Sequence, residues 1–216
     1  MERGWWRLVR FGFRLLYNEL AFIYDLVSWV VSLGSWRCWV RSSLPHIHPD
    51  GTILELAHGT GNLQLDLHAA GRDAIGYDLS PAMGHIASGK LIRAGRRPRL
   101  VRGRAQTLPF RAAAFSSVIS TFPTDFIIAS ETLREVARVL QPGGRFVIVP
   151  VSRFTGGGLL ARLIDALYTI TGQRAASGEQ RSAWISLFEP YGFEVRLVEA
   201  ACPNSVVTVI VAQKRG

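Results

Sequence analysis

From residue 45 onward, short apolar and β-branched runs alternate with longer stretches of mixed polarity; the first 44 residues show no such alternation. Strands are predicted at residues 52–57 (TILELA), 74–77 (AIGY), 99–101, 117–120 (SVIS) and 145–149 (RFVIV). Helices are predicted at 62–70, at 81–94 with a proline at an early position, and at 130–140, where Gln141-Pro142-Gly143-Gly144 stops the pattern. Two more helices are expected at 159–171 and 179–191, the first preceded by Gly156-Gly157-Gly158. Strand–helix alternation of this kind builds a parallel sheet with crossover helices. The chain then closes differently. Residues 193–198 and 206–212 read as a hairpin, with Pro203-Asn204 as turn formers in the intervening 200–205. A closing hairpin on a parallel sheet implies one antiparallel strand. The fold class is α/β, mostly parallel with an antiparallel last strand. One sheet domain is expected over residues 45–216, with residues 1–44 as an N-terminal helical appendage.

Composition narrows this picture. With 48% hydrophobic and 19% charged residues over 216 positions, the chain is globular and long enough for one sizeable core. Cys38 and Cys202 lie far apart and form no C-x-x-C pair, so they are read as two buried thiols, with no disulfide framework and no metal site. A reducing, cytoplasmic compartment fits that reading. No secretory signal is evident. The most apolar early stretch, residues 20–36, contains Asp25 and is read as a buried or interfacial helix rather than a spanning one. A net charge of +9, carried almost wholly by arginine, favours anionic partners.

The candidate chemistry begins at Ile53-Leu54-Glu55-Leu56-Ala57-His58-Gly59-Thr60-Gly61, an apolar strand ending in a glycine turn before a helix. In an open α/β sheet, ligands bind outside the carboxyl ends of the strands. Glycines there let a ligand approach the backbone, and the helix start offers free N–H groups. Gly76-Tyr77-Asp78-Leu79-Ser80 then places a carboxylate at the end of the second strand, where it can accept hydrogen bonds from ribose hydroxyls. Asp78 could instead cap the next helix, but Ser80, just before Pro81, could do so equally well. A dinucleotide fingerprint needs a third glycine where Gln64 stands, and no P-loop string is present.

Four strings in order, E-L-A-H-G-T-G, G-Y-D-L-S-P-A-M, G-R-A-Q-T-L-P-F and E-T-L-R-E-V-A-R-V-L-Q-P-G-G-R-F-V-I-V, resemble class I S-adenosylmethionine-dependent methyltransferases of the ubiquinone/menaquinone-biosynthesis type. The resemblance covers roughly residues 50–150, with a weaker echo at 17–25. It implies a seven-stranded Rossmann-like sheet and S-adenosylmethionine as cofactor. By position, it implies that Glu55 holds the cofactor's ammonium group and that Ala57, His58, Gly59 and Gly61 form the loop beneath it. Asp78 would bind the ribose, Leu79 and Met83 would pack on the adenine, and Arg104 and Ala105 would sit at the adenine edge. Ser120 and Thr121 would approach the methyl region, and Tyr17 and Tyr24 would belong to a lid. Ala57 stands where the family usually has a glycine, which is tolerable provided its φ is negative. Arg104 replaces a customary aspartate and cannot accept a hydrogen bond.

Methyl transfer needs a positioned acceptor and excluded water, and a base only if the acceptor must lose a proton. Among acids near the fourth strand, Asp125 is the best placed, with a turn or cap role as its alternative; no catalytic residue is assigned firmly. Arg3, Arg7, Arg10 and Arg14 fall on one helical stripe opposite a face carrying Trp5, Trp6 and Phe13. Residues 1–16 therefore suit peripheral contact with the inner face of a membrane. The other reading is a helix packed on its own domain. Arg93, Arg96, Arg97, Arg99, Arg102 and Arg104 cluster around the third strand, but no nucleic-acid module accompanies them. The sequence thus points to methylation of a lipid-like or apolar small-molecule acceptor: a quinone precursor, an aminophospholipid or a similar compound. The competing reading is a membrane-associated, cofactor-binding protein without transferase activity.

Overall fold

The computed structural model describes residue 12 and residues 20–155 and 178–216. The arginine stripe, Tyr17, the glycines 156–158 and the helix expected at 159–171 lie outside the described residues. Seven strands form one sheet: β1 (Ile53–Leu56), β2 (Ala74–Asp78), β3 (Leu100–Arg102), β4 (Phe115–Thr121), β5 (Leu140–Phe154), β6 (Phe193–Cys202) and β7 (Ser205–Lys214). Their order is β3-β2-β1-β4-β5-β7-β6, with β7 antiparallel to both neighbours and the pairs from β3 to β5 parallel. The order reverses direction between β1 and β4, so a crevice opens beyond their carboxyl ends.

Every residue of β1 is buried, as expected of a parallel strand covered on both faces. Alternation sorts its side chains. Leu54 joins a core with Phe115, Leu133, Val136, Phe146 and Phe188 on one face of the sheet. Ile53 joins the opposite core with Trp39, Leu63, Leu67, Val147 and Val209. Helices α3 (Asn62–Ala69) and α4 (Pro81–Arg93) follow β1 and β2. Ser80 caps α4 by accepting from the Met83 N–H at 3.2 Å, with Pro81 in the first turn. Helix α5 (Ser130–Val139) buries Thr132, Leu133, Val136 and Val139, the stripe that a 3.6-residue period requires. Helix α6 (Gly178–Phe188) leads into the closing hairpin.

That hairpin is longer than its sequence pattern predicts. β6 runs on to Cys202, which pairs with Ser205, so the turn is reduced to Pro203 and Asn204. Asn204 adopts φ +53°, a conformation asparagine tolerates better than most residues. Alternating polar side chains on an outer strand disguise its true length.

The N-terminal segment is broken. A 3-10 turn at Ala21–Ile23 leads into α1 (Tyr24–Val31), and α2 (Trp36–Arg41) follows a short bend. No described helix is long and apolar enough to cross a membrane. Helix α2 is fixed to the hairpin turn in three ways. The fully buried Trp39 donates from Nε1 to Ser205 Oγ at 2.8 Å, and Ser35 Oγ donates to the Pro203 carbonyl at 3.0 Å. The third is a disulfide between Cys38 and Cys202. This corrects the reading of two free thiols. Spacing along the chain gave no hint, because the hairpin turn brings position 202 back over α2. The pairing also removes the basis on which a reducing compartment was inferred.

Candidate active site

At the carboxyl ends of β1 and β4 lies an open cleft of about 330 Å³, including its mouth. It is lined by Glu55, Ala57, His58, Gly59 and Thr60 from β1 and its loop, by Asn62 and Leu63 of α3, and by Thr121 of β4; Tyr24, Trp36 and Val40 close it from α1 and α2. Residues of the β1 loop and Tyr24 of the N-terminal segment thus meet in one place.

The loop is built around Asp78. One carboxylate oxygen accepts from the Gly59 N–H at 2.9 Å and the other from the Ser80 N–H at 2.8 Å. Asp78 therefore ties the β1 loop to the β2 loop, leaving the capping of α4 to Ser80. Each oxygen retains a lone pair for a hydroxyl donor. Gly61, at φ +80°, lies so close to α4 that a Cβ would come within 2.7 Å of the Ala87 Cβ. A Cβ on Gly59 would meet nothing within 4 Å, so that backbone faces open space.

Ala57 departs from what was expected. Its φ is +56°, in the left-handed region, where the sequence reading required a negative value. Its N–H is held by the Tyr77 carbonyl at 2.7 Å, which fixes the loop path whatever residue stands there. An alanine so placed costs about 1–2 kcal/mol relative to a relaxed backbone. Phe122, just past β4, has φ +50°. Two strained residues thus flank the crevice, and strain of this kind concentrates at functional sites.

Glu55 sits on the same sheet face as Ile53 and points toward α3, where Gln64 Nε2 donates to it at 2.7 Å. It is buried in an apolar strand, and burial pushes its carboxyl up to about 8, against the opposing pull of the Gln64 hydrogen bond. The Gln64 Oε1 is buried without a partner. His58 is also buried; burial holds its imidazole below the usual histidine value, offset in part by Asp78. Its Nδ1 lies 2.8 Å from the Gly59 carbonyl, so Nδ1 carries the hydrogen.

Helix α1 is anchored by Asp25, which accepts from Thr60 Oγ1 at 2.6 Å, Asn62 Nδ2 at 3.0 Å and Lys90 Nζ. Burial alone would raise the Asp25 carboxyl, but these three donors hold it below the ordinary aspartate value. Trp36 then stacks on Phe122 at 4.4 Å and meets Tyr24 edge-on at 6.3 Å. The cleft therefore has one wall of backbone and buried carboxyl, and another of aromatic rings.

Residues 54–148 match the methyltransferase domain family. The demethylmenaquinone methyltransferase of Beutenbergia cavernae is 37% identical over 63% of this chain and 57% of its own length. A ubiquinone/menaquinone biosynthesis C-methyltransferase from Syntrophotalea carbinolica is 32% identical over 66% of this chain and 62% of its own. Residues 54–148 thus form a methyltransferase domain of the class I S-adenosylmethionine-dependent kind. A solved S-adenosylmethionine-dependent methyltransferase from Thermotoga maritima, described as a possible histamine N-methyltransferase, shares the fold at TM-score 0.61 and 20% identity, over 90% of this chain and 96% of that one. The chain spans about six-tenths of the length of the curated relatives named here.

The residues present suit the family's cofactor. A buried carboxyl of raised pKa with a single side-chain donor is an acceptor suited to an ammonium group. The space above Gly59 admits a ligand against the backbone. The remaining methyltransferase positions are less uniform. Leu79 is exposed beside Asp78, while Met83 and Ala105 are buried. Arg104 turns its side chain to solvent, and its carbonyl accepts from the Tyr77 hydroxyl at 3.4 Å. Ser120 is a strut between strands, donating from Oγ to the Leu56 carbonyl at 3.0 Å. Asp125 is exposed on a 3-10 turn and does not line the cleft. Sequence reasoning missed Gln64, Lys90, Trp36 and Phe122. Gln64 alone had a signal: a glutamate inside an apolar strand needs a polar partner on the helix that covers it.

Proposed function

We propose that this chain transfers a methyl group from S-adenosylmethionine to an aromatic, lipid-like acceptor of the quinone-precursor class. Residues 1–44 would act as a lid over the methyltransferase domain of residues 45–216. The observation that carries this reading is the two-sided cleft. A glycine loop fixed by Asp78 and a buried Glu55 form one side, and the stacked Trp36–Phe122 pair with Tyr24 forms the other. The relatives, a demethylmenaquinone methyltransferase and a ubiquinone/menaquinone biosynthesis C-methyltransferase, support the acceptor class.

The bound cofactor supplies an already activated methyl group. The protein's part is orientation and exclusion of water. Glu55 holds the ammonium end and Asp78 the ribose end, with Leu79 and Met83 on the adenine side and Arg104 and Ala105 at its edge. Thr121 and the His58 ring bound the middle. The aromatic wall holds a planar acceptor by stacking and keeps bulk water off the reacting atoms. Glu55, His58 and Tyr24 are the ionisable side chains among the lining residues, and the buried His58 is neutral at physiological pH. Asp125, exposed and outside the lining, is given no role as a base in this reading.

The test is methyl transfer from labelled cofactor to a hydroquinone lacking its C-methyl group, compared with ethanolamine phospholipid and with small polar amines. Transfer to the hydroquinone alone is expected. Transfer only to polar amines, or tight S-adenosylhomocysteine binding with no transfer at all, would overturn the reading.

A further inference from the structure

The outer face of the lid has no protein partner among the described residues. Phe22 is 74% exposed, Leu26 62% and Trp29 61%, and Val30 and Leu33 are also exposed. Spaced four, three, one and three positions apart, they form one apolar stripe along the 3-10 turn and α1. The opposite side of α1 carries Asp25, which faces the glycine loop and Lys90. Isolated exposed apolar residues need no explanation, but a contiguous stripe of five does.

The charges around this stripe have one sign. Arg37 and Arg41, exposed on α2, stand at one end; their shared partner, Asp66, is itself buried. At the other end, Lys90 joins α4 to Asp25, and the exposed Arg93, Arg96 and Arg97 follow on α4 and its turn. Asp25 is the one acid between residues 20 and 41, and residues 79–124 contain none. The stripe also borders a second groove of about 570 Å³, including its open mouth, lined by Trp29, Gly34 and Arg37 with the ion-paired Asp25 and Asp66. That groove shares Trp36, Val40 and Asn62 with the methyl-transfer cleft, so the two are continuous.

We propose that the exposed face of α1, with its flanking arginines, is a docking surface for an anionic lipid bilayer, and that it sets the mouth of the acceptor groove on that bilayer. An apolar stripe bearing a tryptophan, rimmed by cations and free of acids, matches a helix lying at headgroup depth. Arginines at both ends meet acidic headgroups, so attraction to the bilayer falls with salt. The groove then receives an apolar acceptor without its passing through water. The groove's role rests on the acceptor class proposed above; the docking surface does not.

The experiment is co-sedimentation of the full chain with phosphatidylglycerol-containing and with pure phosphatidylcholine vesicles, with wild type beside the double variant F22E/L26E, whose positions line neither groove. Both positions are exposed and outside the cleft lining, and cofactor affinity, read by S-adenosylhomocysteine calorimetry, is expected to stay within about twofold. Wild type is expected to bind the anionic vesicles at least about tenfold more tightly than the neutral ones, with binding weakened by salt. The double variant is expected to lose about tenfold or more. Equal binding of variant and wild type would overturn the proposal, and so would a stable dimer whose contact the variant abolishes. Vesicle binding without hydroquinone methylation would leave the docking surface standing and remove the acceptor class. Methylation of a tailed hydroquinone with no vesicle binding would do the reverse.

Discussion

The two walls of the cleft are built in different ways. The glycine-loop wall, to which the proposed function assigns the cofactor, comes from residues 55–61 and 78–80, two adjacent strand ends and their loops, cross-tied by one carboxylate. The aromatic wall, to which the proposed function assigns the acceptor, is gathered from α1, α2 and the segment after β4, and is held in place through Cys202, Pro203 and Ser205 of the closing hairpin. The first is a local structure and needs little beyond β1 and β2 to form. The second exists only once the hairpin has closed. Perturbations of the two walls should therefore separate cofactor affinity from stability and acceptor use.

The largest separation is expected from the disulfide. It closes a stretch of 164 residues, and losing such a link costs about 2–5 kcal/mol. For a chain of this size, each kcal/mol lowers Tm by about 2–4 °C. Cys38→Ser should show that fall by scanning fluorimetry, and wild type treated with reductant should match it. S-adenosylhomocysteine affinity should change far less than Tm. A Tm within about 1 °C of wild type would mean that α2 holds its place through Trp39 and Ser35 alone.

Asp78→Ala makes the opposite break. It removes the acceptor for two backbone N–H groups and, in the proposed function, for the ribose, each charge-assisted bond being worth about 1.5–3 kcal/mol. S-adenosylhomocysteine binding should weaken on the order of 100-fold by calorimetry, or about 2.7 kcal/mol. The lid should stay in place, because Asp25 bonds Thr60 and Asn62 rather than Gly59. Loss of folded protein instead would show that the glycine loop is needed for the sheet itself.

These walls also explain what could be read from the sequence. The mostly parallel sheet, its antiparallel closing strand and the crevice elements were legible because their determinants are close in sequence: an apolar strand, a glycine turn, a carboxylate at the next strand end; the strand order and the bond from Gly59 to Asp78 were not. Ser80 as the cap of α4 was legible for the same reason. The Cys38–Cys202 link, the Trp36–Phe122 stack and the Asp25–Lys90 pair were not, since each joins residues from separate elements whose relative placement only the finished fold supplies. The sign of φ at Ala57 misled for a subtler reason: backbone conformation is set by the Tyr77 carbonyl and the loop path, and the side chain is obliged to tolerate it.

Glu55→Gln sharpens the cofactor side. With its folded pKa raised from 4.5 to about 8, the wild-type carboxyl is at no disadvantage below pH 4.5, and stability is lost as pH climbs through about 8. The amide has no charge to bury and offers a donor to the unpartnered Gln64 Oε1. The variant without cofactor should therefore gain on wild type as pH rises from about 6 to 8, by on the order of 2 kcal/mol. Its S-adenosylhomocysteine affinity should fall over the same range, because a neutral amide is a poor partner for ammonium. If the Tm difference between the two proteins did not change with pH, Glu55 would be ionised throughout.

The smallest effect is the most diagnostic of how the glycine-loop wall is strained. Ala57 holds a left-handed conformation that glycine enters freely, so Ala57→Gly should stabilise the protein by about 1 kcal/mol despite the larger conformational freedom of glycine in the unfolded chain. Thermal melting should show a rise of about 2–4 °C. The consequence for binding distinguishes two causes of the strain. If the hydrogen bond from the Ala57 N–H to the Tyr77 carbonyl fixes the loop in both states, the stabilisation appears in Tm and S-adenosylhomocysteine affinity is unchanged. If the strained loop relaxes when the cofactor enters, wild type gains that relief on binding and the glycine variant does not. The variant would then be more stable alone yet bind about fivefold more weakly, since 1 kcal/mol moved from folding to binding corresponds to that factor. A variant less stable than wild type would show that the alanine methyl makes packing contacts worth more than the backbone strain it causes.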